Sequence, residues 1–580
     1  MPHPSSPQAA DFSARLRQRL NGLYGAEAAA PLTERIVAAT DSYAGRIAGG
    51  RLGWDEQDVV LIAYGDQVSA ADKPPLETLR RLLDEQRWSD LVSTVHILPF
   101  CPYTSDDGFS VTDYLAVDPA LGDWSHIEKL GNEFRLMFDL VLNHASAQGD
   151  WFNDYLQGRS PYDRFFIEAD PHADLSAVVR PRSSPLLTPF STNRGEKHVW
   201  TTFSADQVDL NYQEPELLAK MLETLLEYAA RGAQIVRLDA VGFLWKQTGT
   251  SCMHLPQTHE VVKLMRDVVS AAAPHVWILT ETNVPHRENV SYFGDGDEAQ
   301  IVYQFSLPPL LLDAFVHGDA TYLMRWLADL EPPPKGCTQL NFTASHDGVG
   351  VRALEGLAPP ERLDSLVAAV QSRQGLVSTR RRGDQDVPYE LNIAYVDALT
   401  PDGPIDDALH ARRFLSTQAV MLALQGIPAV YFHSLVGSRN DLPGVAESGQ
   451  NRRINRRKFS WDELHRQIDD GESLSGRIYQ GYRRLLSLRR KIRAFHPNAE
   501  QKVIPARQRE MISFVRRTAD AQEEIVVAVN AGAAPTTFDA AAASAGHLRY
   551  DLIGDESIAD ASCVRLLPGQ AVWLAAGPIL

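Results

Sequence analysis

The 580-residue sequence predicts an α/β fold: a (β/α)8 TIM barrel with an inserted subdomain after the third strand and a small C-terminal antiparallel β domain. Three observations predict it. From Val59 onward eight short β-rich apolar runs recur, each followed by a stretch of helical periodicity, which is the trace of repeated βα units. After His144 about sixty residues rich in Pro, Arg, Phe and Trp interrupt that rhythm, and an insertion so long is functional or a small subdomain. Beyond Phe495 the pattern becomes alternating, as in Met511–Arg516, Glu524–Asn530 and Ala571–Ala575, which suits antiparallel strands with one covered face.

In chain order, residues 1–55 read as a helical lead-in, amphipathic from Asp11 to about Gly53. The eight strands are expected at Val59–Asp66, Val92–Phe100, Phe134–Asn143, Gln234–Val241, Val276–Asn283, Ile301–Leu307, Thr338–Asp347 and Ile427–Ser434. Between the fourth and fifth comes the typical return helix, Thr258–Ala273, with Val261, Leu264, Met265, Val268 and Ala272 on one face. The barrel thus occupies 56–144 and 207–500, the inserted subdomain 145–206 and the C-terminal β domain 501–580. The basic stretch Arg483–Arg493 reads as a solvated helix face.

Composition excludes several function classes. With 56 Lys+Arg against 74 Asp+Glu, the net charge of −18 argues against a nucleic-acid or anionic-membrane partner, since either needs a basic footprint. Any anion that binds needs a local cluster of Arg. Cys101, Cys252, Cys337 and Cys563 are scattered, without metal-finger spacing, and are expected as buried thiols rather than a disulfide framework. Met1–Leu20 lacks the apolar core of a secretory signal, and runs such as Val59–Tyr64 and Ala419–Leu424 are too short to span a bilayer. A soluble cytoplasmic protein is expected; nothing indicates its oligomeric state.

In a βα barrel the reacting groups project from the C-terminal strand ends. The fourth strand ends in Val236-Arg237-Leu238-Asp239, the fifth in Thr280-Glu281-Thr282-Asn283 and the seventh in Ser345-His346-Asp347. Three carboxylates, an Arg and a His therefore converge on one opening, and buried carboxylates without partners are costly. Such a trio suits glycoside chemistry, which needs a nucleophile, a proton donor and negative charge beside an oxocarbenium-like transition state. Arg237, two residues before Asp239 on the same strand face, is expected to hold that carboxylate ionised. The third strand, Asp139-Leu140-Val141-Leu142-Asn143-His144, adds a His at the rim. Taken singly, each residue has a plainer reading, the Asp as a helix cap and the His as a satisfied core side chain.

Together, Asp139–His144, Arg237-Leu238-Asp239, Glu281 and Phe342-Thr343-Ala344-Ser345-His346-Asp347 resemble glycoside hydrolase family 13, the α-amylase superfamily, in the family's order. Within it, Leu98–Phe109, Val179-Arg180-Pro181-Arg182, Trp200-Thr201-Thr202-Phe203, Asp209-Leu210-Asn211 and Arg452-Arg453-Ile454-Asn455-Arg456 are similar to the sucrose-phosphorylase branch. Leu244-Trp245-Lys246, Gly249–Leu255 and Gly437–Asp441 look most like its glucosylglycerate phosphorylases. Two features depart from sucrose phosphorylases: Thr280-Glu281-Thr282-Asn283 in place of a Pro-Glu pair, and the insertion Arg180–Phe190.

The resemblance implies a retaining phosphorylase that moves a glucosyl group from an α-glucoside, glucosylglycerate above others, to inorganic phosphate, with no metal or organic cofactor. It implies Asp239 as nucleophile, Glu281 as acid/base and Asp347 as transition-state stabiliser. Asp106, His144, Arg237, His346, Arg452 and Phe203 would bind glucose. Arg182 and Arg180, with Tyr389 and Glu390, would bind the phosphate or the acceptor. Arg380-Arg381-Arg382, expected in a loop after the seventh unit, offers further cations or else a solvated loop. Sucrose phosphorylase proper, a hydrolase or transglucosylase on the same fold, and a non-catalytic binding subunit stand as the alternatives.

Overall fold

The computed structural model describes residues 7–382, 385–403, 406–543 and 548–579; residues 1–6 of the expected lead-in and Leu580 lie outside them. Eight parallel strands close into a barrel in sequential order: β1 (Val60–Ala63), β2 (Thr94–Ile97), β3 (Arg135–Val141), β4 (Ala233–Asp239), β5 (Trp277–Thr280), β6 (Ile301–Tyr303), β7 (Thr338–Asn341) and β8 (Ile427–Tyr431). Seven lie within the runs expected for them, and β4 starts one residue before its run, at Ala233 rather than Gln234. The strands are shorter than the apolar runs because the last residues of each run leave the ladder to line the mouth of the barrel. Nearly every strand residue is buried, as a sheet covered on both faces requires.

Register sets the chemistry. On the β3–β4 pair Asp139 stands opposite Arg237 and Val141 opposite Asp239. Alternation then puts Asp139, Arg237 and Asp239 on one face, pointing inward.

Outside the barrel, α1 (Pro7–Ala44) is two helical segments joined at Gly25, whose φ of 80° needs a residue without Cβ. Phe12, Leu16, Leu20, Leu32 and Ile36 form its buried stripe. It is pinned to α2 (Pro215–Ala230) and α3 (Pro256–Ala272) by Arg35–Glu223 at 2.9 Å and Arg19–Asp267 at 2.9 Å. The third unit's insertion is fastened at both ends, since His144–Ser146 pairs antiparallel with Gln207–Asp209. Between these ends lie a short helix, Asp150–Leu156, and a hairpin, Leu187–Thr192 with Gly195–Trp200. Past the barrel, Glu500–Val503, Met511–Arg517, Glu524–Asn530, Ala571–Ala575, Tyr550–Asp551 and Glu556–Ser557 form one antiparallel sheet with its own apolar cluster.

Three expectations are corrected. The basic stretch belongs to α4 (Leu474–Arg489) and the turn after it, and it is not simply solvated. Arg489 is fully buried and donates to the carbonyls of Leu422 at 2.9 Å and Phe495 at 3.2 Å, while Arg483 caps the carbonyl of Gln86. Guanidinium donors here satisfy chain ends that helices and strands leave open. Second, Arg380–Arg382 is not a loop but the end of a strand, Leu376–Arg382, paired with Gln385–Asn392. Arg380 turns to Glu355 at 2.5 Å, and none of the three lines the cup at the barrel mouth. Third, Cys101, Cys252 and Cys337 are buried thiols but Cys563 is exposed. Among the described residues no helix is long and apolar enough to cross a membrane.

Candidate active site

The barrel mouth holds a cleft of about 710 Å³, counted to its open rim, whose walls include Asp239, Glu281 and Asp347. Strand geometry delivers the three carboxylates. Asp239 ends β4; Glu281 follows β5 directly, with its backbone N–H on the carbonyl of Leu238 at 3.1 Å; Asp347 closes the loop after β7.

Beneath them runs a chain of buried charges. His96 on β2 meets Asp139 at 2.7 Å, and Arg237 bridges Asp139 and Asp239, reaching the latter at 2.8 Å. Burial alone would raise Asp139, but His96 and Arg237 outweigh it and hold this carboxyl at about 2. Asp239 behaves otherwise. Burial, with the charges of Asp139 and Asp347, overcomes the pull of Arg237 and pushes it up to about 7. Arg237 makes the expected bond to Asp239, but it shares that guanidinium with Asp139, so its pull is divided. Glu281 is likewise pushed up to about 7, by burial and by Asp239 and Asp347. The two titrate as a pair and hold about one proton between them near neutrality. Arg237 bonds Asp239 directly, whereas among the described residues Glu281 Oε2 accepts only the Ala240 N–H, at 2.9 Å. The shared proton therefore belongs on Glu281.

Asp347 is the third case: Arg452 at 2.7 Å, with Arg456 behind it, overcomes burial and holds the carboxyl below its usual range. Arg452 also grips Glu390 at 3.0 Å, and Arg456 clamps Asp107 at 2.8 Å and Asp106 at 3.3 Å. The turn Asp106–Gly108 carries left-handed φ at Asp106 (53°) and Asp107 (49°), a cost that Asp bears better than most residues. Gly108 must be Gly, since a Cβ there would come within 2.7 Å of the Pro99 carbonyl. Asp106 is thereby fixed at the cleft wall.

The other expected glucose binders also reach the cleft, except Arg237, which lies behind Asp239. His144 is buried and lowered by burial, and its Nε2 donates to the Phe109 carbonyl at 2.9 Å. His346, held well below its usual value by burial and the Arg456 charge, stacks on Phe109 at 4.7 Å. Both rings are neutral hydrogen-bonding groups. Phe203 lies 5.2 Å from His144 and 5.6 Å from Phe243.

On the acceptor side the outcome divides. Arg182 lines the cleft, its guanidinium over the rings of Tyr389 at 5.4 Å and Phe203 at 5.7 Å. Arg180 does not line it; its guanidinium folds back onto the Ser183 and Ser184 carbonyls of its own loop. Tyr389 lines the cleft, but Glu390 is spent on Arg452 and on the Gly348 N–H and faces an adjoining groove. Sequence reasoning missed Arg352, Asn283 and Gln207 in the walls and Arg456 and His96 behind them. Arg456 had a signal, one helical turn past Arg452; Arg352 had none, being a lone Arg five residues beyond Asp347. Among the described residues no cluster of His, Cys, Asp or Glu could hold a metal ion.

Comparison with known proteins agrees with this geometry. The catalytic-domain model of the α-amylase family matches residues 91–332. A glucosylglycerate phosphorylase of Spirochaeta thermophila is 47% identical over 89% of both chains. One of Allomeiothermus silvanus is 49% identical over 87% of this chain and 90% of its own. The crystal structure of sucrose 6F-phosphate phosphorylase from Thermoanaerobacter thermosaccharolyticum superposes with a TM-score of 0.72 at 25% identity, over 88% of this chain and 98% of that one. A closed parallel barrel, an inward acid–guanidinium chain and relatives that span most of the chain thus lead to one assignment: the chain belongs to the α-amylase family, glycoside hydrolase family 13, in its phosphorylase branch.

Proposed function

We propose that this enzyme is a retaining phosphorylase that transfers glucose from glucosylglycerate to inorganic phosphate, giving α-glucose 1-phosphate. The observation that carries the reading is the pairing of a carboxylate cup with an unneutralised cation at its acceptor side: Arg182 has no carboxylate in ion-pair contact among the described residues. A hydrolase needs no such charge. A phosphorylase must draw an anion to the glucosyl intermediate and keep water from it.

In the first half-reaction Glu281 gives its proton to the glycosidic oxygen as the C1–O bond breaks, its electron pair staying on that oxygen. An Asp239 carboxylate oxygen attacks C1 from the opposite face and forms a β-glucosyl ester. Asp347, held ionised by Arg452, offsets the positive charge that develops on the sugar. Asp106, Arg452, His144 and His346 hold the glucose hydroxyls. In the second half-reaction a phosphate oxygen attacks C1, the ester bond returns its pair to Asp239, and the phosphate proton passes to Glu281. Two inversions give net retention. Tyr389 and Arg182 frame the incoming phosphate, and Glu390 acts through Arg452.

A donor panel tests this, comparing glucosylglycerate with sucrose, with and without phosphate, and reading glucose 1-phosphate against free glucose. Phosphate-dependent glucose 1-phosphate from glucosylglycerate, at a much higher kcat/KM than from sucrose, is expected. A preference for sucrose overturns the substrate, and free glucose as the main product at every phosphate level overturns the phosphorylase.

A further inference from the structure

Arg352 and Asn283 are among the residues of the cleft wall, and the Nε of the first and the Oδ1 of the second are buried without a partner among the described residues. A buried donor or acceptor left in this way is unfavourable unless something pairs it. The other contacts of Arg352 are weak ones. One terminal nitrogen meets the Met253 sulfur at 3.6 Å, and the other approaches Glu288, a half-exposed carboxylate, at 3.5 Å, well beyond a charge-assisted hydrogen bond. The chain makes room for this pair. A Cβ at Gly350 would come within 2.3 Å of the Asn283 amide, so glycine there is what lets Asn283 sit in the wall.

Arg182 and Arg352 are differently placed. Arg182 lies over the rings of Phe203 and Tyr389, whereas the guanidinium of Arg352 lies between Met253 and Glu288. An aglycone attached through its own oxygen extends outward from C1, and in a 2-hydroxy acid the carboxylate lies two bonds beyond the glycosidic oxygen.

We propose that Arg352 and Asn283 read the aglycone: the guanidinium takes a carboxylate, and the Asn283 carbonyl accepts from a neighbouring hydroxyl. The pair selects a small hydroxy acid over a neutral polyol or ketose, which would leave the Arg352 donor unpaired. This rests on the substrate reading above and divides the acceptor side into a phosphate cation, Arg182, and a carboxylate reader, Arg352.

The test loads the enzyme from α-glucosyl fluoride and lets equal concentrations of glycerate and glycerol compete for the glucosyl group. In a parallel arm phosphate competes with water. Arg352→Met is expected to lower the glycerate-to-glycerol product ratio by at least about 30-fold, and far more than it lowers the phosphate-to-water ratio. Fluoride release reports that the variant is folded; should Arg352→Met release none, Arg352→Lys carries the comparison, with a fall of about tenfold expected. A ratio within about threefold of the parent in a variant that releases fluoride overturns the role of Arg352. Equal falls in both ratios overturn the division and leave one common anion pocket. A parent enzyme that does not prefer glycerate to glycerol removes the substrate reading itself, a result separate from the other two.

Discussion

The two sides of the cleft differ in how their charges are settled. On the glucose side each ion has a built-in counterpart: Arg237 lies between Asp139 and Asp239, Arg452 between Asp347 and Glu390, and Arg456 against Asp106 and Asp107. On the acceptor side Arg182 rests on aromatic rings, and Arg352, with only the half-exposed Glu288 at 3.5 Å, keeps an orphaned donor. The first arrangement is fixed before substrate arrives, which is what a transition state of developing positive charge requires. The second stays open, and an anion completes it. Damage to the glucose side should therefore slow every reaction, whereas damage to the acceptor side should redirect the glucosyl group.

The largest expected effect is on Asp239. Asp239→Asn should lower turnover of every glucoside by about 10⁴-fold or more, whichever acceptor is present, in steady-state assays. Activity lost with one acceptor but kept with another would break the contrast. Glu281→Gln comes next, with a loss of about 10²–10⁴-fold on natural glucosides and far less on α-glucosyl fluoride, whose leaving group needs no proton. Equal losses on both would remove Glu281 from the acid role. Smaller still, Arg182→Ala should weaken phosphate use by about 10–100-fold, with free glucose rising in proportion as water captures the intermediate.

The smallest effect is on stability and has a defined sign. Asp239 and Glu281 are raised to about 7 in the fold, so between pH 4 and 7 the folded enzyme binds more protons than the unfolded chain. Their contribution to stability is therefore lost as pH rises through that window and stays lost above it. Asp239→Asn removes an ionising group from this pair, and its Tm should exceed the parent's by about 1–4 °C at pH 8, with a smaller gap at pH 5. A gap that widens toward acid would contradict the shared proton.

The same contrast governs what could be read in the sequence. Strand runs were legible because burial on both faces leaves near-continuous Val, Ile and Leu, and Asp239, Glu281 and Asp347 were legible because they sit at the ends of those runs. Arg452 and Asp106 came from the resemblance of whole segments. Arg352 and Asn283 lie in loops after β7 and β5, and no period or spacing marks a loop residue as facing inward. Their place depends on Gly350 letting two loops touch, a contact between positions 67 residues apart (350 − 283). Arg180 misled for the converse reason: an Arg beside Arg182 looks equivalent in sequence, yet one turn of the loop sends it to the Ser184 carbonyl. Arg380 misled likewise, since the partner that claims it, Glu355, lies in the turn that follows Arg352–Leu354, a contact invisible from composition.

Both halves of the contrast meet in one measurement. Glu281→Gln enzyme is loaded from α-glucosyl fluoride, the glucosylated residue is located by mass spectrometry, and the decay of the ester is timed with and without phosphate, alone and combined with Arg182→Ala. The sugar should sit on Asp239. Phosphate, which brings its own negative charge and needs little base assistance, should speed its loss many-fold, and the Arg182 substitution should erase most of that acceleration. Label on another residue, or an ester that decays equally fast with and without phosphate, would contradict a fixed glucose side paired with an anion-completed acceptor side.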